Sequence, residues 1–341
     1  LDDVFAVQDE IAQAVARNLR VLFADQPGPA GRTSAPPADR QAYEAYLRGK
    51  YMLSQRIDGA ERAVGFFQQA LERDPRFALA HAGLANAFLW LAWGNYLPSH
   101  EAFPRARQHA QEALRIDSTL AYAYAILGSV DLWYDWEWRA ARQSLERAIA
   151  INPSEGAARL DLGWLHLIGG DYPQAVASLE RALQIDPLNL EYNIDLADFH
   201  RMAGHYEAAL ALGESMRQLY PDNADPRWIT GMVQYDRRQY EAAEASFRAA
   251  AGLSEAPTLY LIHQAMALAK LGKENEARRL LEQLQREEPL ESVAPVELAM
   301  LYLALGERKA SVRLLERAYE LHANWLISIR ADPVWKPLYD D

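Results

Sequence analysis

The 341-residue chain contains no cysteine, which excludes disulfide bonds, thiolate metal sites and cysteine nucleophiles. No apolar run approaches the roughly 18 residues that a membrane-spanning helix needs, and no basic-then-apolar segment opens the chain as a secretory signal would. Positive charge is scarce too, because 35 Lys and Arg face 47 Asp and Glu, for a net charge of −12. This charge opposes binding to nucleic acid and to anionic membranes. The composition therefore favours a protein partner, with no nucleic acid and no direct membrane binding.

The usual motifs of catalysis and cofactor binding are missing as well. The sequence has no G-x-x-x-x-G-K-[ST] phosphate loop, no G-x-G-x-x-G fingerprint, no H-E-x-x-H zinc motif and no G-x-S-x-G elbow. His200, His205 and Asp198 suggest a metal site, but a turn at Gly204 separates them, so packed histidines are the better interpretation. An α-helical glycosidase with two facing carboxylates is the remaining enzymatic alternative. We predict no catalytic residue, no metal site and no cofactor.

What the sequence does contain is a period of 34 residues. Pro153, Pro187 and Pro221 follow one another at that spacing. Glycines and alanines keep the same spacing at two further positions: Gly170, Gly204, Gly272, Gly306, Ala141, Ala175, Ala209, Ala243 and Ala277. Glycine supplies the turn after a first helix, proline ends a second helix, and alanine lets the two helices pack closely. Because one such pair cannot bury both of its faces, neighbouring pairs must stack.

The clearest copy of the repeat reads LDLGWLHLIGGDYPQAVASLERALQIDP. Its small and closing positions resemble the signature of the tetratricopeptide repeat (TPR) family: Leu162, Gly163, Ala175, Ala182 and Pro187. The resemblance implies an all-α, right-handed superhelical solenoid of helix–turn–helix units that has no catalytic activity of its own. About eight units follow one another between residues 41 and 324: roughly 41–76, 77–119, 120–154, 156–189, 190–223, 224–257, 258–291 and 292–324.

Both ends of the chain depart from the period. Residues 1–23 are predicted to form an amphipathic helix, and residues 24–40 a flexible linker rich in Pro, Gly, Ala and Ser. The aromatic tail, residues 325–341, is expected to cap the apolar side of the last repeat, because the end units of a solenoid need a cover. The N-terminal helix is expected to dock on the repeats, on an upstream domain or on a second subunit.

Three segments together show a narrower resemblance: DVFAVQDEIAQAV, AYEAYLRGKYML and YDWEW. They are similar to the C-terminal half of bacterial multidomain signalling proteins, in which a TPR array follows a TolB-like module. The effector upstream of that module is an adenylate cyclase, a winged-helix regulator or a Ser/Thr kinase, and none of these activities is assigned to this chain. The resemblance implies a regulatory role in the cytoplasm, or in the periplasm where the parent carries a membrane span upstream.

The concave surface of a TPR array is lined by the first helix of each unit, so the register predicts which residues face a bound segment. Residues four apart share a helix face, and here they form a stripe of Ile, Val, Trp and Met edged by acids. The candidate groove residues are Leu160, Trp164, Ile194, Asp195, Asp198, Trp228, Met232, Ile262, His263, Met266, Val296 and Met300. We predict that this groove binds an apolar peptide or helix of a protein partner. Packing between successive repeats is the competing explanation of the stripe.

The stretch DLWYDWEWRAA falls at the turn of the third unit, beside an overlong loop in the second. The aromatic edge that they form, around residues 90–138, suggests an alternative function as a small-molecule sensor that regulates an upstream effector. Trp93, Tyr96, Trp136 and Trp138 are its candidate ligand residues. The favoured interpretation is that the loop and the turn pack on each other as a buried aromatic seam.

Overall fold

The computed structural model describes these residues: 39–53, 57–94, 96–255, 257–287 and 294–339. The predicted N-terminal helix and nearly all of the predicted linker lie outside them. The helical part begins one residue earlier than predicted, at Arg40, because the Asp39 carboxylate accepts hydrogen bonds from the backbone amides of Gln41 (2.7 Å) and Ala42 (3.1 Å). This is the usual way in which an aspartate caps a helix.

Within the described residues the chain is all-α, as predicted, and contains eight helical hairpins numbered 1 to 8 along the chain. The first helices of the hairpins are α1 (Arg40–Leu53), α3 (Ala78–Trp93), α5 (Ala121–Trp133), α7 (Gly156–Ile168), α9 (Leu190–Met202), α11 (Asp225–Asp236), α13 (Thr258–Lys270) and α15 (Pro295–Ala304). The second helices are α2 (Ile57–Arg73), α4 (Ser99–Ile116), α6 (Trp138–Ile151), α8 (Tyr172–Ile185), α10 (Tyr206–Leu219), α12 (Tyr240–Ala251), α14 (Glu274–Glu287) and α16 (Arg308–Glu320). Two 3₁₀ helices, Asn324–Arg330 and Pro333–Trp335, and the short α17 (Lys336–Tyr339) follow. None of the described helices combines the length and apolar character needed to cross a bilayer.

Small residues set the spacing inside each hairpin. The five alanines that recur every 34 residues are fully buried, where the second helix meets the first. Gly163 is needed for a similar reason, because a Cβ atom at that position would overlap the side chain of Leu179. These contacts allow close packing of helix on helix along most of the chain.

The turns between helices use a left-handed residue. Four of the repeat glycines have φ between +74° and +83°: Gly170, Gly204, Gly272 and Gly306. Arg238 and Trp136 occupy the equivalent position in two other hairpins and take φ of +60° and +57°. A side chain in this region is strained by roughly 1–2 kcal/mol, so this conformation lowers stability at both positions.

The hairpins stack into a curved array whose inner surface is formed by the first helices. Most successive first helices contact one another, whereas successive second helices, within the described residues, make no comparable contacts. The first helices therefore form the concave side of the array. The 3₁₀ helix Asn324–Arg330 packs on α5 and α7, so the chain crosses back over the concave side after the last hairpin.

The tail does more than cover the last hairpin. Trp335 is fully buried in the core of hairpins 6 to 8, which is the position expected of a cap. Trp325, ten residues earlier, lies instead against Trp133 and Trp164 of α5 and α7. The period does not reveal this path, because it carries no information on how far the array curves.

Candidate functional site

Residues 322–335, here called the C-terminal segment, occupy part of the concave surface. The Trp325 ring centroid lies 5.2 Å from that of Trp133 and 5.9 Å from that of Trp164, with ring planes at 73° and 70°. Edge-to-face pairs of this kind are favourable for aromatic rings. The groove therefore already holds a short segment of the chain itself.

A buried ion cluster holds the same segment at its other end. Arg201 of α9 is 1% exposed, and its guanidinium donates hydrogen bonds to Asp198 (2.6 Å), Asp236 (2.8 Å) and Asp332 (2.7 Å). Asp332 belongs to the C-terminal segment, 131 residues from Arg201 along the chain. Losing one partner of a buried ion pair is strongly unfavourable, so the cluster fixes the segment to the centre of the groove.

The cluster of Arg201 with Asp198, Asp236 and Asp332 contains more carboxylates than positive groups. Burial raises the pKa of Asp236 to about 6, although Arg201 acts to lower it. Burial likewise raises the pKa of Asp198. Burial acts to lower the pKa of Arg201, but the three aspartates outweigh it and raise that pKa well above its usual value. The guanidinium stays charged, and its charge is already matched by carboxylates.

The YDWEW turn is packed against the end of hairpin 8. The His322 ring stacks on Trp136 with centroids 4.7 Å apart and planes at 7°, and its Nδ1 lies 2.8 Å from the Tyr134 carbonyl oxygen. Tyr319 also stacks on Trp136, at 5.3 Å. Tyr134 stacks on Phe103 of α4, at 5.3 Å. The turn thus joins hairpin 2 to hairpin 8, and the stacking holds Trp136 in its left-handed conformation.

The part of the concave surface beside the C-terminal segment is a cavity of about 170 Å³. Six of the nine tryptophans of the chain line it: Trp90, Trp93, Trp133, Trp164, Trp228 and Trp325. Seven carboxylates line it as well: Asp161, Glu191, Asp195, Asp198, Asp225, Glu297 and Asp332. It adjoins a wider cleft of about 640 Å³, which shares five of its residues, among them Trp90, Trp93 and Glu191. We call the smaller space the tryptophan cavity.

Hydrogen bonds fix several walls of the tryptophan cavity. Asp161 accepts from the indole N–H of Trp133 (2.9 Å) and from the Ser129 hydroxyl. Asp195 accepts from the indole N–H of Trp164, also at 2.9 Å. Burial raises the pKa of Asp161 to about 6, although these two donors act to lower it. The walls are therefore both aromatic and anionic near neutral pH. The hydrogen bonds fix the rotamers of the Asp161, Asp195, Trp133 and Trp164 side chains.

Nine of the twelve candidate groove residues line the tryptophan cavity: Leu160, Trp164, Ile194, Asp195, Asp198, Trp228, Met232, His263 and Met300. Ile262, Met266 and Val296 do not line it and are buried in the core that unites hairpins 6 to 8. At that end of the array the first helices pack directly on one another, so these side chains contact the next repeat rather than open space. Sequence reasoning missed Trp90, Trp133, Arg201, Trp325 and Asp332. The return of the tail places Trp325 beside Trp133 and Asp332 beside Arg201, and the sequence pattern does not show that return.

The four residues of the alternative aromatic edge are not gathered at one place. Trp93 lines the tryptophan cavity, whereas Trp136 is stacked between residues of hairpin 8. Tyr96 and Trp138 are 46% and 54% exposed. The three residues considered as a metal site are not arranged as one either. His200 and His205 share the hydroxyl of Tyr172, at 2.6 and 2.7 Å, whereas Asp198 is bound by Arg201. Among the described residues, no group of three or more His, Asp or Glu is arranged to hold a metal ion.

Comparison with known proteins agrees with the repeat geometry. Family models described as tetratricopeptide repeat match residues 129–189, 166–228 and 260–290. These stretches of the chain match tetratricopeptide repeats. No curated protein sequence matches the chain. Outside these stretches, the likeness to TPR rests on the 34-residue period and on the stacked helical hairpins.

Solved structures share the fold at low sequence identity. A monomeric mutant of IFIT1 with Gppp-AAAA is 16% identical with a TM-score of 0.61, over 82% of this chain and 71% of that one. The APC/C hetero-tetramer Cut9–Hcn1 is 16% identical with a TM-score of 0.57, over 95% of this chain and 59% of the other. Yeast Tom70 is 16% identical with a TM-score of 0.52, over 92% of this chain and 70% of that one. The predicted TPR solenoid is confirmed, and scaffolds of this type are typical of protein–protein interaction.

Proposed function

We propose that this TPR array is a non-catalytic interaction module that binds a peptide segment of a protein partner on its concave surface. One observation carries the proposal: the concave surface already accommodates a peptide segment, the chain's own residues 322–335. Trp325 is held between aromatic rings of α5 and α7, and Asp332 is held by Arg201. An aromatic anchor and a paired charge are contacts that a partner's segment would also make.

The tryptophan cavity and the wider cleft are the parts of this surface that the C-terminal segment leaves for a partner. Their lining is concave, aromatic and acidic, and a groove of this kind takes an amphipathic or extended segment through side-chain anchors. Trp228 of α11 is the apolar contact that we assign to the partner, because it lines the cavity and is partly exposed. Met232 of α11 and Trp164 of α7 also line the cavity but are each only 2% exposed. Residues 1–23, which the sequence predicts to form an amphipathic helix, are a candidate occupant from the same molecule.

The same proposal includes a regulatory setting. The YDWEW turn and the segment AYEAYLRGKYML are similar to bacterial multidomain signalling proteins, and this supports a module that relays partner binding to an effector domain upstream. We place it in the cytoplasm, or in the periplasm if the parent protein has a membrane span before this region. A reporter fusion to the parent gene distinguishes the two compartments.

A peptide-display selection on the purified chain tests the binding function. Selected peptides are then measured by calorimetry against Trp228→Ala, which removes one wall of the tryptophan cavity, and against Trp138→Ala, which removes an exposed ring outside it. We expect Trp228→Ala to weaken binding at least roughly tenfold, since a buried aromatic contact at a hot spot contributes 2 kcal/mol or more, and Trp138→Ala to leave it unchanged. Failure to select any peptide, or equal binding to both variants, would count against the proposal.

A further inference from the structure

The size of the tryptophan cavity limits what it can hold. A cavity of about 150 Å³ accommodates a molecule such as benzene, whereas pockets for whole small-molecule ligands are roughly 300–1,000 Å³. The tryptophan cavity, at about 170 Å³, therefore suits a single side chain. The adjoining cleft of about 640 Å³ is large enough for the main chain from which that side chain projects.

The aromatic rings in the wall of the cavity pack edge to face rather than in a parallel stack. Trp90, Trp93 and Trp133 follow one another with centroid separations of 5.2 and 6.2 Å and planes at 85° and 72°. Trp133 then meets Trp164 and Trp325, each at 5.2 Å, with planes at 67° and 73°. Trp90, Trp133 and Trp164 are at most 7% exposed, so the indole surface of these rings that a ligand can reach belongs mainly to the partly exposed Trp93 and Trp325. Indole faces attract cations more strongly than the other aromatic side chains do.

The charges around the cavity favour a cation as well. Seven carboxylates line it, and Arg201 is the one guanidinium or ammonium group among the described lining residues. That guanidinium is already bound by three aspartates. Burial lowers the pKa of His263, the remaining basic side chain of the lining, to about 4, so this histidine is neutral at pH 7. A positive group entering the cavity would be stabilised by this field, and a negative group would be repelled.

The adjoining cleft favours a peptide over a free cation. A free cation has no main chain to fill a cleft of about 640 Å³, whereas a peptide places one side chain in the cavity and its main chain in the cleft. The indole nitrogens of Trp93 and Trp228 are buried and have no hydrogen-bond partner among the described residues, so they are not contacts for this ligand.

We infer that the tryptophan cavity is a pocket for one lysine or arginine side chain of the partner peptide, whose main chain lies in the adjoining cleft. The inference rests on the proposed function and names the residue type that the partner must present. It gives the partner a basic anchor in an otherwise apolar segment. The pocket combines indole faces with carboxylates, which together recognise an alkyl chain that ends in positive charge.

The test uses four pools of amidated pentapeptides with random flanks and a fixed central residue: Lys, Arg, norleucine or Glu. Retention of each pool is measured on immobilised full-length chain at 0.3 M salt, so that the overall charge of −12 is screened. The variant Glu191→Gln/Asp195→Asn removes two carboxylates of the lining. The matched control Glu146→Gln/Glu180→Gln removes two exposed carboxylates of the second helices α6 and α8. Circular dichroism melts verify that both variants fold, and Glu191→Gln alone is used if the first does not.

We expect the unmodified chain to retain the Lys and Arg pools at least roughly tenfold more than the norleucine pool, and the Glu pool least. This preference should disappear in Glu191→Gln/Asp195→Asn and persist in the control. Equal retention of the Lys and norleucine pools would overturn the cation pocket but leave peptide binding intact. A preference that survives in Glu191→Gln/Asp195→Asn would place the cation elsewhere. Retention of no pool at all would count against the proposed function itself.

Discussion

The Arg201 guanidinium donates a 2.7 Å hydrogen bond to the Asp332 carboxylate across 131 residues of sequence. Both side chains are almost completely buried. This pair, together with Trp325, determines that the tail lies in the groove instead of only covering the last hairpin. Its removal is therefore the most direct way to release the C-terminal segment.

The variant Asp332→Asn should release the C-terminal segment from the groove while keeping the hydrogen bond that caps the 3₁₀ helix Pro333–Trp335. An asparagine keeps an oxygen for the backbone amide of Val334, to which Asp332 now binds at 2.9 Å, but it loses the charge that pairs with Arg201. We expect a loss of about 1–3 kcal/mol in the free energy of unfolding, measured by urea titration, because Arg201 keeps its two other aspartates. Tryptophan emission should shift to the red as Trp325 becomes hydrated. Asp222→Asn, at an exposed position, is the control. An unchanged emission maximum in Asp332→Asn would show that the Arg201–Asp332 pair does not hold the C-terminal segment in the groove.

The turn residue Arg238 should be replaceable by glycine with a gain in stability. Its φ of +60° is that of the glycines at the same position in four other repeats, and its side chain is exposed. Arg238→Gly is expected to raise the free energy of unfolding by about 1 kcal/mol, because glycine adopts this conformation without strain. The neighbour Arg237 has φ of −80°, so Arg237→Gly should give no gain. Equal effects of the two changes on the thermal midpoint would contradict the explanation.

Adding one methyl group at Gly163 should destabilise the fourth hairpin. A Cβ atom there would overlap Leu179 and lie 3.1 Å from a ring carbon of Phe199. We expect Gly163→Ala to lower the free energy of unfolding by about 1–3 kcal/mol. Gly65→Ala is a matched change in α2, where a Cβ atom meets nothing within 4 Å, and it should stabilise the protein by about 0.5–1 kcal/mol through helix propensity. Chemical denaturation of both variants decides whether the two signs differ.

The buried Asp161 should make stability depend on pH in a defined window. Its pKa rises from an ordinary value near 3.8 to about 6 on folding, mainly through burial, so the folded state binds a proton that the unfolded state releases. Stability from this group is therefore present at low pH and is lost as pH rises from about 4 to 6. Asp161→Asn cannot titrate, so this loss is absent in the variant. As pH rises through that window, the unfolding free energy of the variant should increase relative to that of the unmodified chain by about 3 kcal/mol. A difference in unfolding free energy that stays constant from pH 4 to 7 would refute this.

The 34-residue period was sufficient to predict the fold class, since glycine, alanine and proline at fixed spacing leave few alternatives to stacked hairpins. The same register predicted a stripe of side chains on the first helices, nine of which line the tryptophan cavity. The register could not distinguish these nine residues from Ile262, Met266 and Val296. Whether a residue of the stripe is exposed depends on how tightly neighbouring hairpins wind, which the register does not specify. The positions of Trp325 and Asp332 could not be predicted, for another reason. Their partners are far away in sequence, and nothing local records where the tail goes.

The stacking of His322 on Trp136 also changes how the array resists heat and tension. In an open repeat array each hairpin is supported only by its neighbours, so an end can peel away by itself. Here the His322 side chain reaches the Tyr134 carbonyl 188 residues earlier, so hairpins 3 to 8 form a closed ring of contacts in which none is terminal. Such a ring must open before any of its six members can unravel, and closing it during folding requires a contact between distant parts of the chain.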